Sequence, residues 1–471
     1  MSKLTRDPVL PTLFRMAAPM LVGTVAINTY NFVDTMFIAR LGTIPLAAMG
    51  FTFPVVTLLT FVAGGIGTGV TTLTSHALGR KSREEASRIV THGIGLVVIV
   101  AAIISIIGFL TMSSVFSMLG ADTQTLPLVS KYMSCWYAGA VFMALPMVGN
   151  GILISLGDSK AASSFMLLGA VLNCVLDPVM IFGFAGIPAM GMWGAALATV
   201  LAQAISTAWL AYLLIVKHKI FKINKLTGGG FLNSCSSILR FAIPSILSMI
   251  LMPVSSAVLT KLISSYGNEA IAAASAAGRV EMFSYIIPMA LGMSLVPFVS
   301  QNYGGGHIDR IYQARRYSVR FALLYGIVVA AILFITAPLI SRIFTSNESV
   351  KEIFILYLRI ASFGFGMMEV HRYSGFFLTG IHLPILSTLL NVVRIIVLLL
   401  PLSFLGSSLF GIKGIFAGRL LTDLIAGTVG IISVAVLLKL KVRQSKQMVR
   451  DGVIGQAPLV ESTPSSFIPN P

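Results

Sequence analysis

Two strongly apolar segments of this 471-residue chain carry carboxylates. Asp34 lies in the run TYNFVDTMFIA, and Asn173 and Asp177 lie four residues apart in LNCVLDPVMIFG, so on a helix they share one face. An ionised carboxylate at the centre of a bilayer costs about 2.5–3.5 kcal/mol, so such a residue is expected to have a function. Two carboxylates and an amide can bind a hard monovalent cation or share a proton.

Three further residues extend this predicted cation site. Asn31 precedes Asp34 by one helical turn, and Thr199 in GAALATVLAQ can add a hydroxyl group. Pro178 has no N–H to donate, so it leaves the Cys174 carbonyl free beside the acids. In a competing interpretation the first acid lies at the membrane interface, and the second is only hydrogen-bonded to a neighbouring helix.

The second half of the chain has its own charges within apolar segments. They are Arg279, Glu281, Arg359, Glu369, Arg372, Arg394, Arg419 and Asp423. The spacing predicts that Glu369 pairs with Arg372, and Arg419 with Asp423, each within its own helix and with a structural role. Glu281 has no facing partner in its helix and is the best candidate in this half for a further functional acid.

The elements that must hold these residues are membrane helices. Hydrophobic residues make up 56% of the chain, charged residues only 10%, and the mean hydropathy is +0.91. Apolar stretches of about 20 residues or more recur throughout, and in lipid their backbone must pair internally, which favours helices. Twelve spans are predicted, at residues 11–39, 46–75, 92–118, 130–156, 162–184, 190–216, 239–264, 271–300, 319–343, 352–378, 384–405 and 412–439.

Lysine and arginine are concentrated in alternate loops and in both termini. The positive-inside rule therefore predicts that both termini are cytoplasmic, in a bacterial or archaeal inner membrane. The net charge of +17 follows from this topology and does not predict nucleic-acid binding. We expect no cleaved signal sequence. The three cysteines are scattered, so we predict no cofactor and no metal beyond a Na⁺ ion at Asp34, Asn173 and Asp177.

The chain also contains an internal repeat. The motif RMAAP at Arg15–Pro19 recurs as RFAIP at Arg240–Pro244, and Asp34 in the first half corresponds to Leu259 in the second. The predicted fold is therefore an all-α integral membrane protein with twelve transmembrane helices in two pseudo-symmetric six-helix lobes. The predicted divisions are an amino lobe at 1–220, a cytoplasmic linker at 221–238, a carboxyl lobe at 239–443 and a disordered cytoplasmic tail at 444–471.

Five motifs resemble the multidrug and toxic compound extrusion (MATE) family. They are FVDTMFIARLGTIPLAAMG, SHALGRKSREEASRI, GNGILISLGDSKAA, LNCVLDPVMIFG and SQNYGGGHIDR. The resemblance covers about residues 8–440. In detail, the sequence is similar to the branch of the family that includes the DNA-damage-inducible and archaeal members. It implies a transporter that exchanges protons or sodium ions for organic cations and other drugs.

The resemblance also implies roles for individual residues. The residues that it assigns to cation coupling are Asp34, Asn173, Asp177 and Thr199. The helix 4 tyrosine of that cluster is either Tyr137 or Tyr132. Apart from the resemblance, we predict hinges at Pro19 and Pro178. In the branch of norfloxacin exporters, carboxyl-lobe acids also bind the cation. Glu281 and Glu369 are the candidates here, which leaves the coupling ion open between H⁺ and Na⁺.

The predicted function is export of drugs or other amphipathic organic compounds by a cation-coupled antiporter that works by alternating access. Its predicted partners are a small organic substrate and the lipid bilayer, and we expect a monomer. One alternative is a lipid-linked precursor flippase of the same superfamily, in which Arg279, Arg372, Arg394 and Arg419 would face an anion-binding cavity. A polytopic membrane enzyme is disfavoured, because the sequence has no HExxH or GxSxG motif.

Overall fold

The computed structural model describes residues 3–184, 186–223 and 230–450. Across this part of the chain the backbone is almost entirely helical, and the one β-bridge joins Phe184 to Ile187. The helices are α1 (Val9–Ala39), α2 (Thr43–Gly79), α3 (Arg83–Met118), α4 (Leu126–Ala138), α5 (Ala140–Ser155), α6 (Ser159–Phe182), α7 (Gly191–Tyr212), α8 (Phe231–Ser264), α9 (Asn268–Ser284), α10 (Ile286–Gly304), α11 (Ile308–Phe344), α12 (Glu348–Ala361), α13 (Phe365–Gly380), α14 (Pro384–Val392) and α15 (Leu400–Arg450).

These helices form twelve membrane passes within the described residues, because several passes are broken. The helix axis bends by 54° between α4 and α5 and by 51° between α9 and α10. A 3₁₀ turn at Ser362–Gly364 joins α12 to α13, and a π-helical segment at Val393–Leu399 joins α14 to α15. Non-helical backbone at Phe410 and Gly411 then divides α15 into two passes. The prediction of twelve transmembrane helices is confirmed.

The helices extend beyond the apolar segments from which they were predicted. α3 begins at Arg83 rather than at residue 92, and α11 begins at Ile308 rather than at residue 319. The added turns are polar and carry Glu84, Glu85 and Asp309, acids that suit a helix amino terminus. Hydropathy locates the part of a helix that lies in lipid, but it does not detect polar turns that extend the helix beyond the lipid.

Helices also extend into the predicted linker and the predicted tail. α8 begins at Phe231, inside the predicted linker 221–238, of which residues 224–229 lie outside the described chain. α15 continues to Arg450, so the first part of the predicted tail 444–471 is helical. The rest of that predicted tail, residues 451–471, lies outside the described chain.

The described part of the segment between α7 and α8 is attached to α3. The Ser87 hydroxyl donates to the carbonyl of Ile220 at 2.6 Å, and the Lys222 N–H donates to the Thr91 hydroxyl at 3.2 Å. Ile220 itself is fully buried. These contacts hold the segment against the helix.

Asp158 anchors the beginning of the same segment. Its Oδ1 accepts the N–H of Ala161 at 3.0 Å in the first turn of α6. Its Oδ2 accepts from Lys217 Nζ at 2.7 Å and lies 3.1 Å from His218 Nε2. Partial burial alone would raise the pKa of Asp158, but the bonds from Lys217 and Ala161 outweigh burial and hold this pKa below its usual value. One carboxylate thus caps α6 and fixes the chain that follows α7.

We expect Asp158→Asn to lower the thermal stability of the protein at pH 7, and to have little effect below about pH 4. A carboxyl whose pKa is lowered on folding stabilises the folded state above its unfolded pKa. This stabilisation is lost as the pH falls through the folded value. Thermal unfolding of the two proteins in detergent, measured across this pH range, checks the prediction. Asp309→Asn, at an exposed position, is the control; a loss that is equal at all pH values would contradict the assignment.

The chain divides into two compact units. The amino unit consists of Arg15–Ala77 and Ser82–Ile246. The carboxyl unit consists of the chain from Leu247 onward, together with Leu78–Lys81 and the first residues up to Phe14. In the amino unit α6 packs most extensively against α7, and in the carboxyl unit α13 packs against α10, α11 and α15. These packings position the polar residues described below.

In the carboxyl unit, glycines allow α11 and α13 to approach each other closely. A Cβ atom placed on Gly326 would lie 2.3 Å from the Cα of Gly366. No side chain fits at that distance, so the two helices meet backbone to backbone. The surface on either side of this crossing is formed by the larger side chains that flank the two glycines.

Candidate functional site

The centre of the site is formed by α6 and α7 of the amino unit. Asn173 and Asp177 project from one face of α6, and their side chains are only 2% and 0% exposed. The Asn173 amide donates to Asp177 Oδ1 at 3.3 Å and to the Thr199 hydroxyl at 3.0 Å. Thr199 in turn donates to the carbonyl of Ala195 at 3.0 Å. The structure therefore brings together three of the four residues predicted for cation coupling.

The fourth residue, Asp34, joins this group from α1. It is 9% exposed, and its charge is close enough to Asp177 for the two carboxylates to interact electrostatically. Tyr30, one turn earlier on α1, lies within electrostatic reach of both acids. Of the competing interpretation, the part in which Asp177 is bonded only to a neighbouring helix is wrong, and the part that places Asp34 at the membrane interface stays a prediction. The two acids are neighbours, and Asp177 is bonded within its own helix.

Three buried oxygens of this cluster accept no hydrogen bond from the described residues. They are Asp34 Oδ1, Asn173 Oδ1 and Asp177 Oδ2. Buried polar atoms are nearly always satisfied, because an unsatisfied one costs about 1–3 kcal/mol. Three such oxygens in one group suit a proton or a small cation. Among the described residues no cluster of three or more His, Cys, Asp and Glu side chains could hold a metal ion; this site has only two such side chains.

The structure brings Tyr132, and not Tyr137, to the acids. Tyr132 lies within electrostatic reach of Asp34, Tyr30 and Asp177. Tyr137 instead packs on α3, where its ring lies 5.5 Å from that of Phe109. The absence of a side chain at Gly108 makes room for this ring, because a Cβ there would come within 2.4 Å of it. The assignment of Tyr137 to the cluster is therefore replaced by Tyr132.

The remaining predicted amino-lobe residues contribute less to the cluster. Asn31 is exposed, and its backbone carbonyl accepts the Thr35 hydroxyl at 2.9 Å. α1 runs without interruption through Pro19. Pro178 lies within α6, directly after Asp177 and one turn before the helix ends. The hinge role predicted for both prolines stays a prediction.

In the carboxyl unit, Glu281 is paired with a residue of another helix. It is 8% exposed, and its Oε1 accepts a hydrogen bond from Arg419 of α15. Its Oε2 accepts from the Tyr357 hydroxyl at 2.7 Å, and Arg419 also donates to that hydroxyl. The expectation that Glu281 has no partner holds for its own helix only. Its charge is neutralised by Arg419, which sequence spacing had assigned to Asp423.

Asp423 and Glu369 are also neutralised. Asp423 Oδ1 accepts from Arg394 Nη2 at 2.8 Å, so the predicted pair of Arg419 with Asp423 is wrong. Glu369 Oε1 lies 3.0 Å from Arg372 Nη1, which confirms the predicted pairing within α13. Each of the three buried acids of this unit therefore has an arginine partner. Among the buried acids of the described residues, only Asp34 and Asp177 of the amino unit lack a basic partner.

Comparison with known proteins identifies the class. The MatE family model matches residues 19–179 and 244–405, one match in each half of the chain. The structure superimposes on the Vibrio cholerae MATE transporter VcmN in its bent form with a TM-score of 0.86, at 27% identity. That match covers 91% of this chain and 97% of the other. A chain with twelve helical passes, this family match and this structural similarity is a membrane transporter and not an enzyme.

The sequence relatives are transporters as well. A FAD transporter of Shewanella oneidensis is 33% identical over 420 residues, which cover 89% of this chain and 93% of that protein. The multidrug export protein MepA of Staphylococcus aureus is 24% identical over 428 residues and covers 89% and 92%. This chain belongs to the MATE family of transporters.

Proposed function

We propose that this protein is a cation-coupled antiporter that exports amphipathic organic compounds, with Asp34, Asn173, Asp177 and Thr199 as its coupling site. The observation that carries the proposal is the pair of buried carboxylates with unsatisfied oxygens and no basic partner. Such a pair changes its charge when it gains or loses a cation. A charge change inside a membrane is large enough in energy to drive a conformational change.

In the proposed cycle, the outward-facing transporter takes up H⁺ or Na⁺ at the two carboxylates. Uptake of the cation lowers the affinity for substrate, and the lobes then rock inward, where the cation leaves and new substrate binds. Linkage requires that the cation weakens substrate binding by the same factor as substrate weakens cation binding. The proposed location is a cytoplasmic membrane with both termini inside, as the distribution of lysine and arginine favours.

The relatives suggest two substrate classes to test. One relative is named as a FAD transporter and another as a multidrug export protein, at 33% and 24% identity. We therefore propose FAD and a lipophilic cation such as ethidium as the first substrates. A flippase is disfavoured, because Arg372, Arg394 and Arg419 each pair with an acid and are not free to bind a pyrophosphate.

Gradient-driven transport into or out of proteoliposomes tests the proposal. The purified protein is reconstituted, loaded with FAD or ethidium, and given an inward gradient of either H⁺ or Na⁺. We expect efflux of at least one substrate to accelerate under one gradient and not under the other, and that gradient identifies the coupling ion. Empty liposomes are the control. Efflux that is independent of both gradients would contradict coupling.

A further inference from the structure

An apolar groove lies on the surface of the carboxyl unit, between α11 and the pass formed by α12 and α13. Its volume is about 320 Å³. One wall is the stretch of α11 from Leu323 to Ile335, and the other wall is formed by Phe363, Gly366 and Met367. The glycine contact between α11 and α13 lies at its base, where Gly326 leaves only backbone. The groove has an almost wholly apolar lining.

The side chains at the rim of the groove are exposed and apolar. Ile327 is 67% exposed, Ile335 is 75% exposed and Phe363 is 54% exposed. On a helix of this hydropathy, exposed apolar side chains of this size are stable against the acyl chains of a bilayer. The groove therefore opens toward lipid.

The length of the groove matches one leaflet of a bilayer. A helix rises 1.5 Å per residue, so the wall from Leu323 to Ile335 is about 18 Å long. Half of the hydrocarbon core is about 15 Å thick. The far end is closed by the rings of Phe334 and Phe363, whose centroids are 6.1 Å apart. The Arg359 guanidinium lies over the Phe334 ring at 4.8 Å.

Two arginines of α11 lie beyond the open end of the groove, which is the end near Leu323 and opposite Phe334. Arg320 precedes Leu323 by three residues, and Arg316 precedes Arg320 by four, so all three lie on one helical face. Both arginines are exposed, and neither is bonded to a described residue. Arg315 differs, because it turns into the unit and donates to the carbonyl of Ile431 at 2.9 Å. The open end of the groove thus has two free positive charges.

We propose that this groove is a binding site for one anionic phospholipid. Arg316 and Arg320 bind its phosphate, and one acyl chain fills the groove from Leu323 to Phe334. The positive charge selects an anionic headgroup over a zwitterionic one, and the apolar length selects a chain that crosses one leaflet. The positive-inside rule places this leaflet on the cytoplasmic side, where basic sites between membrane helices suit anionic lipids.

Native mass spectrometry of the full chain in detergent, titrated with phosphatidylglycerol or phosphatidylethanolamine, tests the site. We expect the wild type to retain one phosphatidylglycerol in preference to phosphatidylethanolamine. The double variant Arg316→Gln/Arg320→Gln should bind phosphatidylglycerol about thirtyfold more weakly, since each arginine near an anionic headgroup contributes roughly a factor of five. Arg342→Gln, an exposed arginine at the other end of α11, is the charge control.

A second pair of variants tests the groove itself. Ala331 is exposed and lines the groove, so Ala331→Phe should fill it and weaken binding of both lipids at least fivefold. Val328 is 55% exposed on α11 but lies off the groove, and Val328→Phe should bind as the wild type does. Equal retention of the two lipids by the wild type would overturn the proposal. So would a double arginine variant that binds like Arg342→Gln, or an Ala331→Phe variant that binds like Val328→Phe.

Discussion

Asp34→Asn and Asp177→Asn should each abolish gradient-driven transport while the protein still folds and reaches the membrane. Asparagine has nearly the shape of aspartate, but it cannot gain or lose a proton and has no charge to attract Na⁺. Each substitution therefore removes the response to the gradient and leaves the helix packing intact. We expect the gradient-driven rate in proteoliposomes to fall at least a hundredfold, to that of liposomes without protein.

Substrate binding distinguishes a variant that has lost coupling from a variant that has failed to fold. Substrate binding, measured by fluorescence quenching, should persist in both variants and should no longer depend on H⁺ or Na⁺. Asp309→Asn, at an exposed acid of α11, should transport as the wild type does. If either Asp34→Asn or Asp177→Asn retains full gradient-driven transport, that residue is not part of the coupling site.

The amino-unit site was largely predictable because its signal is local. Asn173 and Asp177 are four residues apart in an apolar segment, where a carboxylate is costly and is therefore expected to have a function. Helical geometry then places the two residues on one face. Asp34 and Thr199 were included because they are polar residues in apolar segments, and the family resemblance supported them; no spacing rule connects α7 or α1 to α6. The choice between Tyr132 and Tyr137 depends on the rotation of α4, and in the structure the ring of Tyr137 packs against Gly108.

The carboxyl-unit pairs show where spacing fails. An i, i+3 pair such as Glu369 with Arg372 forms where no closer partner is available. Arg419 and Asp423 are four residues apart and also share a helical face, yet each is bonded to another element. α9 brings Glu281 to Arg419, and the segment after α14 brings Arg394 to Asp423. Partners that are far apart in sequence are set by how the helices pack against each other, and spacing along a single helix does not reveal that packing.

Arg419→Met should destabilise the protein strongly, by about 3–5 kcal/mol, because it leaves the buried Glu281 carboxylate without its cation. The double variant Glu281→Gln/Arg419→Met should recover most of that loss, since no unpaired charge remains and glutamine still accepts from the Tyr357 hydroxyl. Thermal unfolding of the two variants and of Glu281→Gln completes the cycle. Lys351→Met, in an exposed pair with Glu348, is the control and should change little.

Transport by the same variants separates a structural from a functional role of Glu281. If Glu281 only holds α9 to α15, its negative charge serves only to pair with Arg419. The double variant, which lacks both charges, then regains transport together with stability. If Glu281 also binds the coupling cation, the double variant is stable but transports no substrate. Because Glu281 already has an arginine partner and Asp34 and Asp177 have none, we expect the first result. A stable double variant that is inactive would extend the coupling site into the carboxyl unit.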